Sequence, residues 1–172
     1  MATGDEFLRA TQPALDLVHN LARRFVRDQA DAEDLVQETY LRAWQAWTSG
    51  RVPRRVEPWL ATICLNVGRD RLRRAATRLE VPIGDTWDLP GPAEVEAEAI
   101  DRTRRAQVER ALWALPVEQR VAITLMDLGG FTAAEIAAMT GSPRGTVLAR
   151  VHRGRKALAR LVEREEANRH AP

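Results

Sequence analysis

An all-α fold is what this sequence predicts: two small helical domains joined by a flexible acidic linker, the second a helix-turn-helix. Three observations predict it. Apolar residues recur at helical spacing through nearly all of the 172 residues. Between residues 79 and 92 the pattern stops, and Pro82, Gly84, Pro90, Gly91 and Pro92 forbid a long helix. Near the C-terminus a short segment, a Thr140-Gly141 turn and a longer basic segment follow one another. The expected domains are therefore 1–78 and 93–172, with 79–92 between them.

Asp5–Arg27 reads as one helix, or as two short ones meeting at Pro13, with Leu15, Val18, Leu21, Ala22 and Phe25 at helical spacing. Asp28–Ala30 is the expected turn, with Asp31 as N-cap of the next helix. That helix, through Trp47, sorts into two faces. Ala32, Leu35, Val36, Thr39, Tyr40, Ala43, Trp44, Ala46 and Trp47 form a core face. Asp31, Asp34, Gln37, Glu38, Leu41, Arg42 and Gln45 form the other. Leu41 sits inside an acidic, amide-rich strip, which suits either a protein-docking surface or a solvated helix with one stray leucine.

Thr48–Pro58 is an expected loop, and Pro58 is placed at the first position of a helix running to Arg78. Trp59, Leu60, Ile63, Cys64 and Val67 make its apolar stripe. Thr62, Asn66, Arg69 and Arg73 share another face. From Arg51 to Arg78 eight arginines meet only Glu57 and Asp70, a net of +6. Such a stripe suits a phosphate backbone with some base reading, or a solvated basic face. Trp59 fits stacking on an unpaired base and a core anchor equally well. From Glu80 to Asp101 seven acids meet no basic residue. An acidic linker of this kind can follow a partner's basic channels, shield basic faces of its own chain, or simply aid solubility.

In the second domain Ala93–Ala114 is an expected helix with Ala106, Val108, Leu112 and Trp113 inward. Val117–Leu128 follows and Gly129-Gly130 closes it. Thr132 and Glu135 have capping-box spacing, and Ile136 and Ala137 point inward. Ser142 and Pro143 are placed at the start of the last helix. There Val147, Val151, Gly154 and Leu158 share the core side, while Gly145, Ala149, His152, Arg153 and Lys156 share the other. From Arg144 to Arg164 seven basic residues meet only Glu163, again +6. Small Gly145 and Ala149 let a backbone approach a groove, and Arg153 is able to fork onto guanine.

Other classes are excluded by what is missing. The single cysteine, Cys64, makes no internal disulfide and no zinc knuckle, and is read as a core residue. Three scattered histidines make no catalytic or metal constellation, so neither an enzyme nor a metal or cofactor site is expected. No apolar run approaches ~18 residues, and MATGDEFLRA is too polar for a signal peptide, so the expectation is a cytoplasmic protein without membrane insertion. All basic residues but Lys156 are arginine, the side chain that forks onto phosphates and base edges.

AEDLVQETYLRAW resembles the polymerase-docking helix of bacterial sigma factors of the small extracytoplasmic-function type. PWLATICLNVGRDRLRR resembles their segment that melts and reads the minus-ten promoter element, and LPVEQRVAITLMDLGGFTAAEIAAMTGSPRGTVLARVHRGRKAL their minus-thirty-five domain. The resemblance runs in order over roughly residues 7–161. It implies a transcription initiation factor that binds core RNA polymerase, reads two promoter elements and helps open the duplex. Asp31, Glu33, Asp34, Gln37, Glu38 and Leu41 are then implied to meet the β′ clamp coiled coil. Arg51, Arg54, Arg55, Trp59, Thr62, Asn66, Arg69 and Arg73 are implied to serve the minus-ten element, with the basic loop capturing a flipped base and Asn66 at the family's recognition asparagine. Arg144, Thr146, Leu148, Ala149, Arg150, His152, Arg153 and Lys156 are implied to serve the minus-thirty-five element, in a domain that docks on the β flap. Leu148 and Ala149 depart from the polar or basic residues that relatives often carry there; Leu148 suits a thymine methyl instead. An external anti-sigma protein is the implied inhibitor. The rival from the residues alone is a dimeric helix-turn-helix regulator with Leu41 in its seam and an N-terminal ligand or dimerisation domain.

Overall fold

A computed structural model describes residues 3–78 and 96–169. Those residues form eight α-helices and no strand. The linker expected at 79–92 and the first residues of the helix expected from Ala93 lie outside the described residues.

Pro13 divides the first segment as its missing N–H requires: α1 (Gly4–Thr11) and α2 (Leu15–Ala22) meet at a 3-10 turn, Gln12–Ala14. The chain leaves helical geometry before Arg27, five residues earlier than expected. The N-cap of α3 (Gln29–Thr48) is Asp28 rather than Asp31, because the Asp28 carboxylate accepts from the backbone N–H groups of Ala30 and Asp31. α4 is Val56–Arg78, so Pro58 lies inside its first turn, where no intrahelical N–H is needed.

α2, α3 and α4 pack together over Val18, Leu21, Leu35, Leu60, Cys64 and Leu65, all fully buried. Phe7 of α1 closes one end, meeting Tyr40, Trp44 and Trp47 edge-on with centroids 5.2–6.3 Å apart. Gly68 gives α4 its close approach to Phe25: a Cβ there would lie 2.4 Å from the ring.

In the second half, α5 (Glu96–Trp113) and α6 (Val117–Ile123) flank the long α8 (Arg144–Arg169). The inward face of α5 differs from the expectation. Ala106 and Val108 are exposed, while Gln107, Ala111 and Leu112 are buried. Gln107 tolerates burial because its amide donates to the Val162 carbonyl at 3.0 Å. α6 runs into a π-helical turn, Thr124–Leu128, and Gly130 ends it at φ +66°. α7 (Ala133–Thr140) carries the expected Thr132–Glu135 capping box, and Gly141 turns the chain at φ +66°. Ser142 is not the cap expected: the Pro143 carbonyl accepts the first helical bond, from Val147, and the Ser142 hydroxyl accepts from Arg150 instead.

The two halves do not stand apart. Val18, Leu21 and Leu60 belong to the same contiguous apolar cluster as Leu125, Ile136 and Val147, beside a smaller cluster of Leu112, Leu115 and Ile123. Polar contacts reinforce this. Arg24 donates to Glu109 at 2.7 Å, and Arg120 Nε donates to the Arg24 carbonyl at 2.7 Å.

Candidate nucleic-acid interface and docking face

The outer flank of α3 is exposed. Asp31, Glu33, Asp34 and Gln37 face solvent, Glu38 is half-buried, and Leu41 is 60 % exposed in their midst. Two arginines outside the expected set order this flank. Arg71 of α4 donates to the Asp31 carbonyl at 2.7 Å and to its carboxylate at 3.0 Å, with Asp34 3.8 Å away. Arg42 pairs with Glu38 at 2.6 Å and with Asp70 at 3.5 Å. The acidic strip is thus held by cations of its own chain, which a basic partner helix is able to displace at small cost because the pairs are exposed.

Arg42 also turns the corner into a cavity of about 330 Å³, lined by Arg42, Gln45, Ala46, Arg51, Trp59, Ile63 and Asn66. That is the low end of ligand-pocket size, ~300–1,000 Å³, with room for one flat base. Trp59 is half-buried and its ring lies 6.4 Å from that of Trp47. It lines the cavity and packs toward the core beside Trp47. Asn66 and Arg51 are exposed at the rim. Arg42 and Gln45 were legible only as members of the α3 polar face; their place here depends on how α3 crosses α4.

The remaining residues of the basic stripe are partly engaged. Thr62 donates to the Pro58 carbonyl at 2.7 Å. Arg73 pairs with Asp70, and with Arg42 behind it keeps the Asp70 carboxyl below its ordinary value. Arg54 is exposed. Arg55 pairs with Glu135, and Arg69 donates to the Thr140 carbonyl at 3.3 Å, so both reach across to α7. The Glu135 carboxyl is drawn down to about 2, first by the Thr132 backbone N–H and then by Arg55.

On α8, Arg144, Leu148, Ala149, His152, Arg153 and Lys156 present an exposed face, with Leu148 43 % exposed, while Val147, Val151 and Gly154 are buried behind it. Thr146 is half-buried. Arg150 is turned inward, bonded to the Ser142 hydroxyl at 2.8 Å and 3.3 Å from Glu118. Arg155, on the flank, is tied to Asp127. Cys64 is buried and its thiol is pushed up to about 12 by burial, which leaves it inert. No group of His, Cys, Asp and Glu among the described residues has metal-binding geometry.

Two surfaces of opposite sign on one helical body, with a helix-turn-helix beside them, find their counterpart among known proteins. The model of the family described as Sigma-70 region 2 matches residues 12–78, and that of Sigma-70, region 4 matches residues 105–158. The extracytoplasmic-function RNA polymerase sigma factor SigM of Mycobacterium tuberculosis is 38 % identical over 149 residues, 84 % of this chain and 71 % of the relative. The chain belongs to the extracytoplasmic-function sigma factors. Two solved structures agree. The sigma factor RpoE of Bartonella quintana, in complex with the anti-sigma factor NepR, superposes with a TM-score of 0.75 at 26 % identity, covering 92 % of this chain and 98 % of that one. CnrH, solved with the cytosolic domain of CnrY, gives 0.65 at 27 %, covering 94 % and 90 %. This sigma factor is accordingly an RNA polymerase factor of transcription initiation, and the dimeric regulator is not favoured. Of its described helices none is long and apolar enough to cross a membrane.

Proposed function

We propose that this sigma factor docks on core polymerase through the α3 flank, reads the minus-ten element with the α3–α4 cavity and its basic stripe, and reads the minus-thirty-five element with α8. The observation that carries the reading is the cavity: an aromatic wall, an asparagine and two arginines beside a stripe of further arginines. An extruded base stacks on Trp59 and offers its edge to Asn66, while Arg51, Arg54 and Arg73 take phosphates. On α8, Arg153 reads a base edge from a helix whose neighbouring Ala149 lets it lie deep in the major groove. Asp31, Glu33, Asp34, Gln37, Glu38 and Leu41 meet the polymerase's β′ clamp coiled coil, and the second domain docks on its β flap. The protein works in the cytoplasm without a cofactor. Because RpoE was solved with an anti-sigma factor and CnrH with CnrY, an inhibitory partner protein is part of the proposal.

A pull-down with core RNA polymerase tests the docking face. The wild-type chain retains polymerase, and Asp34→Arg, which reverses charge in the centre of the flank, loses it. Retention by both would move the docking surface elsewhere. Leu41→Asp, at an exposed site that costs the fold little, is expected to lose polymerase as well.

A further inference from the structure

We propose that Leu148 is a specificity-determining residue of α8, which recognises a thymine in the minus-thirty-five element by its C5-methyl group. The inference rests on the promoter reading given above. Leu148 is 43 % exposed within the charged face of α8, and neither apolar cluster of the described residues includes it. Its neighbours one helical turn away, Arg144 and His152, are both exposed. Beside it a Cβ added at Gly145 meets nothing within 4 Å, and Ala149 is small and exposed. The helix is therefore open to close approach on the side where this leucine protrudes.

The chemistry of the rest of the face leaves a task for an apolar group. Its exposed polar side chains are Arg144, His152, Arg153 and Lys156, with no carboxylate or amide among them. On the flank, Asp127 is taken by Arg155. Arginine and lysine donate and never accept. Such a face suits the acceptors of guanine (N7 and O6) and of thymine (O4) in the major groove, and offers little to the amino groups of adenine and cytosine. Donors alone separate guanine from thymine poorly. The methyl group separates them, because thymine alone of the four bases carries one in the groove. Leu148 is its apolar partner.

Charge decides between DNA and a protein as the occupant. Between Arg144 and Lys156 the sequence carries Arg150, Arg153 and Arg155 as well and no acid, so the leucine lies in a strongly cationic stretch. A polyanion with methyl groups in its groove complements that combination. Position follows from helix geometry. Leu148 and Arg153 are five residues apart, ~7.5 Å of helix rise, so the thymine lies within about three base pairs of the base edge that Arg153 reads. One methyl group removed from water is worth about fourfold in affinity.

The probe is a promoter fragment selected from a run-off transcription library by core polymerase carrying this chain. Each thymidine of its upstream element, on either strand, is replaced in turn by deoxyuridine, which lacks the methyl group and keeps the hydrogen-bonding atoms. With the wild-type chain, one or two such replacements are expected to weaken binding about fourfold. Leu148→Ala, a substitution at an exposed helical site, is expected to bind the unmodified fragment about fourfold more weakly and to treat thymine and uracil alike, with polymerase pull-down unchanged. Leu148→Lys is expected to lose the same discrimination. A fragment on which no replacement weakens wild-type binding overturns the proposal, as does a Leu148→Ala chain that keeps the wild-type preference for thymine. Loss of polymerase in Leu148→Ala also overturns it and makes the leucine a protein contact. A chain that selects no fragment at all sinks the promoter reading itself, an outcome distinct from a selective chain indifferent to the methyl group.

Discussion

Gly68→Ala puts one methyl group between α4 and Phe25, and the structure sets its sign. The new Cβ would lie 2.4 Å from Phe25 Cγ and Cδ2 and 2.7 Å from Cδ1. Carbon atoms prefer ~3.5–4.0 Å, so the ring or the helix must yield by about an ångström. Cγ sits next to the side-chain stem, and Phe25 is buried, so the ring has no way to swing clear. Overpacking of this kind costs ~1–3 kcal/mol, and close approach to three ring carbons argues for the upper half of that range. Alanine returns ~0.8–1 kcal/mol of helix propensity. The balance is a net loss of about 1–2 kcal/mol, which for a chain this long lowers Tm by roughly 2–8 °C. Gly145→Ala is the control. Nothing lies within 4 Å of that Cβ, so its melting temperature is expected to stay level or rise. Thermal unfolding followed by circular dichroism reads both. A Gly68→Ala protein melting at or above wild type would refute the packing argument. The displaced α4 also carries Asn66 and Arg69, so the variant is expected to bind single-stranded DNA more weakly at temperatures where it remains folded.

Further expectations concern charge, titration and reactivity. Arg153→Ala should weaken promoter-specific initiation while polymerase pull-down stays intact; loss of both would give the side chain a structural role instead. The Glu135 carboxyl, held at about 2 against an ordinary 4.5, contributes stability in full above pH 4.5 and loses it as pH falls toward 2. Between those values thermal stability should fall in wild type and fall less in Glu135→Gln, read by thermal melts at each pH; identical acid profiles would contradict this. The Cys64 thiol should resist alkylation by iodoacetamide at pH 8 in the native protein and react once denaturant is added, and rapid native labelling would show that the core around Val18 and Leu60 opens.

Local chemistry made much of the fold legible. The two faces of α3 follow from period alone, and the buried set Ala32, Leu35, Thr39, Ala43 and Trp47 lies on the expected side. The capping box at Thr132 and the left-handed Gly141 are short-range devices that a sequence displays openly. Choices between near-equal candidates were not legible: Asp28 and Asp31 are both good caps, and only the turn after α2 decides between them. α5 misled because a buried glutamine reads as surface until its partner, Val162, is known. The polar contact between the two halves was invisible for the same reason on a larger scale. Arg24 and Glu109 are 85 residues apart, and each alone is an ordinary charged residue on a helical segment. In the candidate site the stripe residues were found by spacing, whereas Arg42, Gln45 and Arg71 enter through the crossing of α3 over α4, which no period encodes.

Run-off transcription with purified core RNA polymerase on a library of promoter fragments tests the central claim most directly. The account predicts that adding this chain redirects the polymerase to a defined set of start points, and that Asp34→Arg abolishes the effect while Arg153→Ala reduces it. A chain that neither binds the core enzyme nor creates new start points would contradict it.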